Sequence, residues 1–129
     1  MMGEMEMKKN NRVAAYIFYS IYDPKRVEEH KNSIIKFAEE QLNICKEKID
    51  FYIDIAPRNK RVQINKLMDK IKQKEYDILL LYHCSHLHKV RGRNYFEQSL
   101  EMNKLIDIRD KILDNGVKIY SVKENKSIS

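Results

Sequence analysis

Val13–Tyr19 (VAAYIFY) is an unbroken apolar run without polar alternation, and it reads as a strand buried on both faces. Asp23-Pro24 then breaks the chain, with Asp as an N-cap and Pro suited to a first helical turn. Val27, Ile34, Ile35, Ala38 and Leu42 follow at helical spacing and predict a helix reaching about Glu47. Ile49–Ile55 (IDFYIDI) is a second strand, followed by a Pro-Arg-Asn loop. Ile64, Leu67, Met68 and Ile71 then fall on one helix face at i, i+3, i+4 and i+7. Asp77–His83 (DILLLYH) is a third buried strand, and His83–Asn94 is a polar, irregular loop. Phe96, Leu100, Leu105, Ile108 and Ile112 keep helical spacing over 95–114, and Asn115-Gly116 ends that helix because both tolerate a left-handed backbone. Val117–Val122 (VKIYSV) is the fourth strand, and Lys123–Ser129 is a polar tail.

Strands alternating with helices build βαβ units around a mainly parallel sheet of four or five strands, an α/β fold of three layers with helices on both faces. Ligands of such sheets bind beyond the carboxyl ends of the strands. Those ends are Tyr19-Ser20, Ile55–Lys60, His83–His88 and Ser121–Lys123, and most are polar or basic.

The 129 residues fit one domain, and with 43% hydrophobic and 34% charged residues the chain can bury a core. No run of 18 apolar residues exists, so the sequence holds no membrane span. Met1–Asn11 is rich in Met and charge without an apolar stretch; it is expected to be a disordered segment, not a secretory signal. The folded domain is expected over 12–124, with a polar tail over 125–129. Cys45 and Cys84 are too few for a disulfide framework; they are read as buried thiols of a reducing cytoplasm.

Net charge is +6, and its placement says more than its size. Residues 57–74 hold seven bases (Arg58, Lys60, Arg61, Lys66, Lys70, Lys72, Lys74) against Asp69 alone. Residues 83–96 add Lys89, Arg91 and Arg93 without an acid. Two such segments meeting on one rim suit a phosphate-rich partner, although an AT-rich coding sequence would also enrich Lys, Asn and Ile. No G-x-G-x-x-G or P-loop pattern follows the first strand, which disfavours a nucleotide-binding domain.

The order of these residues resembles the N-terminal catalytic domain of serine recombinases, the resolvase/invertase group. Arg12-Val13-Ala14-Ala15-Tyr16-Ile17-Phe18-Tyr19-Ser20 follows that family's opening strand, with Ser20 on its nucleophile. Asp54 ending the second strand and Arg61 opening the next helix also match, and NGVKIYSV resembles the family's last strand. The similarity covers roughly residues 12–124. Where the family has arginines, Phe18 stands two residues before the serine, and His86 and Lys89 stand in the third loop. Arg91 and Arg93 follow that loop in a shifted register, and residues 1–129 do not include the family's long C-terminal helix or its DNA-binding domain.

The resemblance implies site-specific DNA recombination of a mobile element through a phosphoserine intermediate, without metal or cofactor. Its catalytic residues would be Ser20 and Arg61, with Arg58, His86, Lys89, Arg91 and Arg93 on the phosphate. A serine hydroxyl is a weak nucleophile, and guanidinium forks stabilise the charge that develops on phosphate oxygens. Losing one such stabiliser costs about 10²–10³ in rate, so strand cleavage is expected to be weak or absent. The alternative is a non-catalytic oligomerisation or regulatory module of the same fold, pairing with itself or with a full-length recombinase. Ser20 also has a plain structural reading, as a residue that turns the chain.

His83, Cys84, His86 and His88 offer zinc-type donors. Their spacing fits no structural zinc motif, no second ligand pair is apparent, and strand alternation at His83 would turn it and Cys84 to opposite faces. No metal site is therefore assigned from sequence.

Overall fold

The computed structural model describes residues 12–56, 61–88 and 92–128. The apolar run forms strand β1 (Val13–Ser20), whose first five residues are buried. It lies between β2 (Ile49–Ala56) and β3 (Ile78–Leu81), parallel to both. Strand β4 (Lys118–Ser121) pairs parallel to β3, and β5 (Lys126–Ile128) closes the sheet antiparallel, giving the order β2-β1-β3-β4-β5.

Helix α1 (Lys25–Leu42) covers one face of this sheet, while α2 (Val62–Lys72) and α3 (Tyr95–Asp114) cover the other. Alternation along β1 feeds both layers. Val13, Ala15 and Ile17 pack with Ile34, Phe37 and Ala38 of α1. Ala14 and Tyr16 pack with Ile64, Leu67 and Ile71 of α2 and Ile112 of α3. A strand clothed on both sides has no polar position to spare, which is why VAAYIF carries no charge. The result is the expected three-layer α/β fold with a mainly parallel sheet.

Several boundaries differ from the sequence reading. Pro24, not Asp23, holds the N-cap position of α1; Asp23 instead pairs with Arg26 at 2.9 Å. The helix stops at Leu42 because Asn43 turns left-handed (φ 55°) and returns its N–H to the Ala38 carbonyl. A 3₁₀ turn over Lys46–Lys48 then leads into β2. Strand β3 is four residues long; Asp77 ahead of it is held by Arg12, and beyond Leu81 the chain bends into a 3₁₀ turn over Cys84–His86. The polar stretch after β4 contains a turn with Asn125 left-handed (φ 52°) and then β5. Cys45 is exposed and Cys84 half-buried, so the reading of two buried thiols is corrected. The segment 1–11, expected to be disordered, lies outside the described residues.

Helix α3 has the expected limits. The Asn94 side chain accepts the Glu97 N–H at 2.9 Å, and the Glu97 carboxylate takes the Arg93 N–H. Gly116 follows its end at φ +82°. A Cβ there would meet no atom within 4 Å, so Gly116→Ala exposes the backbone cost alone. Urea denaturation is expected to show a loss of about 1–2 kcal/mol for Ala and less for Asn. Equal stability of the Gly and Ala forms would contradict the left-handed assignment.

Candidate functional site

Because β1, β2 and β3 are parallel, their carboxyl ends share one rim, with Ser20 of β1 opposite Ala56 of β2 and Phe18 opposite Asp54. The Asp54 carboxylate is buried and accepts three hydrogen bonds. The Tyr16 hydroxyl donates to it at 2.7 Å, and the Gln63 and Ile64 N–H groups each donate at 3.0 Å. Those two amides belong to the first turn of α2, which has no cap from its own N-cap side chain. Asp54 thus fills orphan donors at a helix N-terminus, where its negative charge also suits the helix dipole.

Arg61 occupies the N-cap position of α2 and reaches back over the sheet. Its Nε and Nη2 donate to the Tyr16 hydroxyl at 3.3 and 3.0 Å. Nη2 also donates to the His86 carbonyl at 2.7 Å, and Nη1 to the Leu87 carbonyl at 2.6 Å. The guanidinium stands 4.7 Å from the centre of the Phe18 ring, a cation–π contact. Of its five N–H donors, one on Nη1 is left uncommitted among the described residues. Burial first, and then the bond to Asp54, push the Tyr16 hydroxyl pKa up, so this phenol stays a donor.

Ser20 sits half-buried at the end of β1, on the face of Tyr16 and Phe18 by alternation. Its Oγ accepts the Tyr22 N–H at 3.2 Å and its carbonyl the Asp23 N–H at 3.0 Å, so it also turns the chain. No hydrogen bond joins Ser20 to Arg61 among the described residues. His86 is buried: its Nδ1 accepts the Phe18 N–H at 3.4 Å, and its ring lies against His30 and Tyr82. The contact it makes with Arg61 is through its carbonyl. Arg93 is exposed just before α3. Arg58, Lys89 and Arg91 lie outside the described residues.

Tyr16 lies within the apolar run that predicts β1, and nothing in that pattern links it to the site. The available signal was a phenol within a strand buried on both faces, since a buried Tyr O–H needs a partner.

No sequence model of a known family matches the chain, and no curated protein matches it by sequence. Solved structures similar to it include two recombination proteins. The N-terminal catalytic domain of TP901-1 integrase aligns with a TM-score of 0.60 at 18% identity, over 88% of this chain and 80% of that one. A resolvase family site-specific recombinase from Streptococcus pneumoniae aligns with a TM-score of 0.60 at 19% identity, over 90% of this chain and 76% of that one. These likenesses show the fold.

The Asp54 network and a separate group around Tyr76 each carry a measurable consequence. Asp54→Ala strands the Tyr16 hydroxyl and two helix amides, and is expected to cost at least about 3 kcal/mol in chemical denaturation; a loss under about 1 kcal/mol would contradict the network. Tyr76, bonded to Tyr52 and Asp50 at 2.7 Å each, is also shifted upward, chiefly by burial and then by the Tyr52 bond. In the unfolded chain both phenols ionise near the ordinary value of 10.0. Above that pH the folded state therefore holds more protons than the unfolded one, and stability falls as pH rises. Unchanged stability from about pH 9 to 12 would refute it.

Proposed function

We propose that this chain is a resolvase/invertase-like serine recombinase domain acting on the DNA of a mobile element in the cytoplasm, with a degenerate site and weak or absent strand cleavage. The observation that carries the reading is Ser20 at the carboxyl end of β1, on the rim of a fold shared with serine recombinase catalytic domains at a TM-score of 0.60. In the reaction, the Ser20 Oγ attacks a backbone phosphorus, the bond from phosphorus to the 3′ oxygen breaks, and the leaving oxygen takes up a proton. The product is a phosphoserine link that the freed hydroxyl reverses after strand exchange. Arg58, Arg61, Lys89, Arg91 and Arg93 supply positive charge to the phosphate, with His86 behind the site.

Two features support the degenerate part of the reading. Phe18 stands where the resembled family carries an arginine, and Arg61 spends most of its donors on Tyr16 and on the carbonyls of His86 and Leu87. Beyond one Nη1 N–H, a phosphate would have to take from Arg61 donors that the fold already uses.

A second reading, a non-catalytic module that oligomerises with itself or with a full-length recombinase, is favoured by the start of α3. Tyr95 is 86% and Phe96 70% exposed there, with Leu100 and Met102 further along. Exposed apolar groups so grouped suit a protein partner. No helix among the described residues is long and apolar enough to cross a membrane.

The test is covalent trapping on supercoiled DNA in denaturing gels. A slow adduct is expected, at least about 100-fold below an active recombinase, and absent in Ser20→Ala. An adduct that survives Ser20→Ala would remove Ser20 as nucleophile, and one formed at full rate would remove the degenerate site. In equilibrium binding, neutralising about three to five phosphates predicts a fall in duplex affinity of about 40- to 500-fold between 50 and 200 mM salt. A flat salt dependence would overturn the DNA reading.

A further inference from the structure

Away from Arg61, the pairing of β3 with β4 brings together three donors that are distant in sequence. The ladder extends past both strands, with the Val122 N–H on the Leu81 carbonyl and the Lys123 N–H on the Tyr82 carbonyl, each at 2.8 Å. His83 and Cys84 open the 3₁₀ turn after β3, and Glu124 lies in the turn between β4 and β5. One donor atom from each lies within 4.8 Å of the other two. The 3₁₀ turn that begins at Cys84 brings the His83 and Cys84 donors within reach of each other, against the opposite-face expectation of a continued strand.

We propose that His83, Cys84 and Glu124 form a binding site for a zinc-class divalent cation, which ties the turn after β3 to the β4–β5 hairpin. Imidazole, thiolate and carboxylate are the ligands zinc takes, at about 2.0–2.3 Å, and a tetrahedral ion then spaces its donors by about 3.3–3.8 Å. His83 Nε2 and Glu124 Oε1 are 3.6 Å apart, already at that spacing. Cys84 Sγ lies within 4.8 Å of both and has to close in on the ion.

The surroundings supply what ligands of a metal need behind them. The buried Ser121 hydroxyl donates to Glu124 Oε1 at 3.1 Å, and Lys126 Nζ holds the other carboxylate oxygen at 3.3 Å. His83 Nδ1 accepts the Ser85 N–H at 3.2 Å and lies 2.9 Å from Ser85 Oγ, so an ion on Nε2 has to shift the imidazole proton to Nδ1, with Ser85 Oγ within reach to accept it. Cys84 and Glu124 both line a cavity of about 390 Å³, bounded also by Leu87, Met102 and Arg109, which gives the ion and a water ligand a route in. Three protein ligands plus water complete four-coordination.

The site has a structural consequence. The same 3₁₀ turn ends in the His86 and Leu87 carbonyls that grip Arg61, so a bound ion stiffens the support of that arginine. The inference does not depend on the recombinase reading.

The test uses the full chain, reduced and stripped with a chelator, titrated with Zn²⁺ by calorimetry and with Co²⁺ by absorbance. One ion per chain is expected, and Co²⁺ should give a thiolate charge-transfer band. Cys84→Ser should abolish the band, and Glu124→Gln, at an exposed position that folding tolerates, should weaken Zn²⁺ at least tenfold. Ser121→Ala should weaken it about 10-fold through the carboxylate, while Cys45→Ser leaves binding unchanged. Absence of Zn²⁺ binding by the folded chain overturns the proposal. So does binding that survives Glu124→Gln at full strength, or a Co²⁺ band lost with Cys45→Ser instead of Cys84→Ser.

Discussion

A carboxylate with almost no access to water is tolerable only if its lone pairs are filled, since a bare buried charge costs far more than a fold of this size can supply. Asp54 is such a group, and its partners come from β1 and from the first turn of α2. Meeting that requirement fixes where α2 begins and which way its N-terminus points. The helix start in turn places Arg61 above Tyr16 and Phe18, and the guanidinium then holds the turn after β3 by two carbonyls. One carboxylate thereby coordinates β1, β2, α2 and the β3 turn at the rim where the sheet would meet a ligand.

This arrangement bears on chemistry. A phosphate cradle needs guanidinium donors that are oriented but unspent. Arg61 is oriented, yet its donors are largely spent on the protein, and the neighbouring position offers an aromatic ring instead of a second guanidinium. Ser20 itself serves the backbone turn that follows β1. The rim therefore combines a strand-end serine and an oriented arginine with interactions that favour rigidity over charge stabilisation, which is the physical content of the proposed weak cleavage.

The layers of the fold were legible because they follow from burial. An uninterrupted VAAYIF, an ILLL core strand and Ile64-Leu67-Ile71 on one helix face admit few arrangements other than a parallel sheet between helices. What was illegible depends on single backbone choices or on distant pairing. Asn43 ends α1 by adopting a left-handed backbone that nothing in the apolar pattern marks, and the three residues of β5 are too short and polar to announce a strand. Ser20 and Arg61 were found through order along the chain. The joining role of Tyr16 was missed because its ring packs as core while only its hydroxyl works in the site. Glu124 was invisible beside His83 and Cys84, because only the β3–β4 register brings residues forty positions apart within reach.

Tyr16, Asp54 and Arg61 act as one unit, and a double-mutant cycle of Tyr16→Phe and Arg61→Leu, read by chemical denaturation, measures it. A coupling of about 1 kcal/mol or more is expected, because each substitution removes the same shared hydrogen bonds. Losses that add within about 0.5 kcal/mol would contradict it, and Arg61 would then be an arginine that lies over the sheet without holding it.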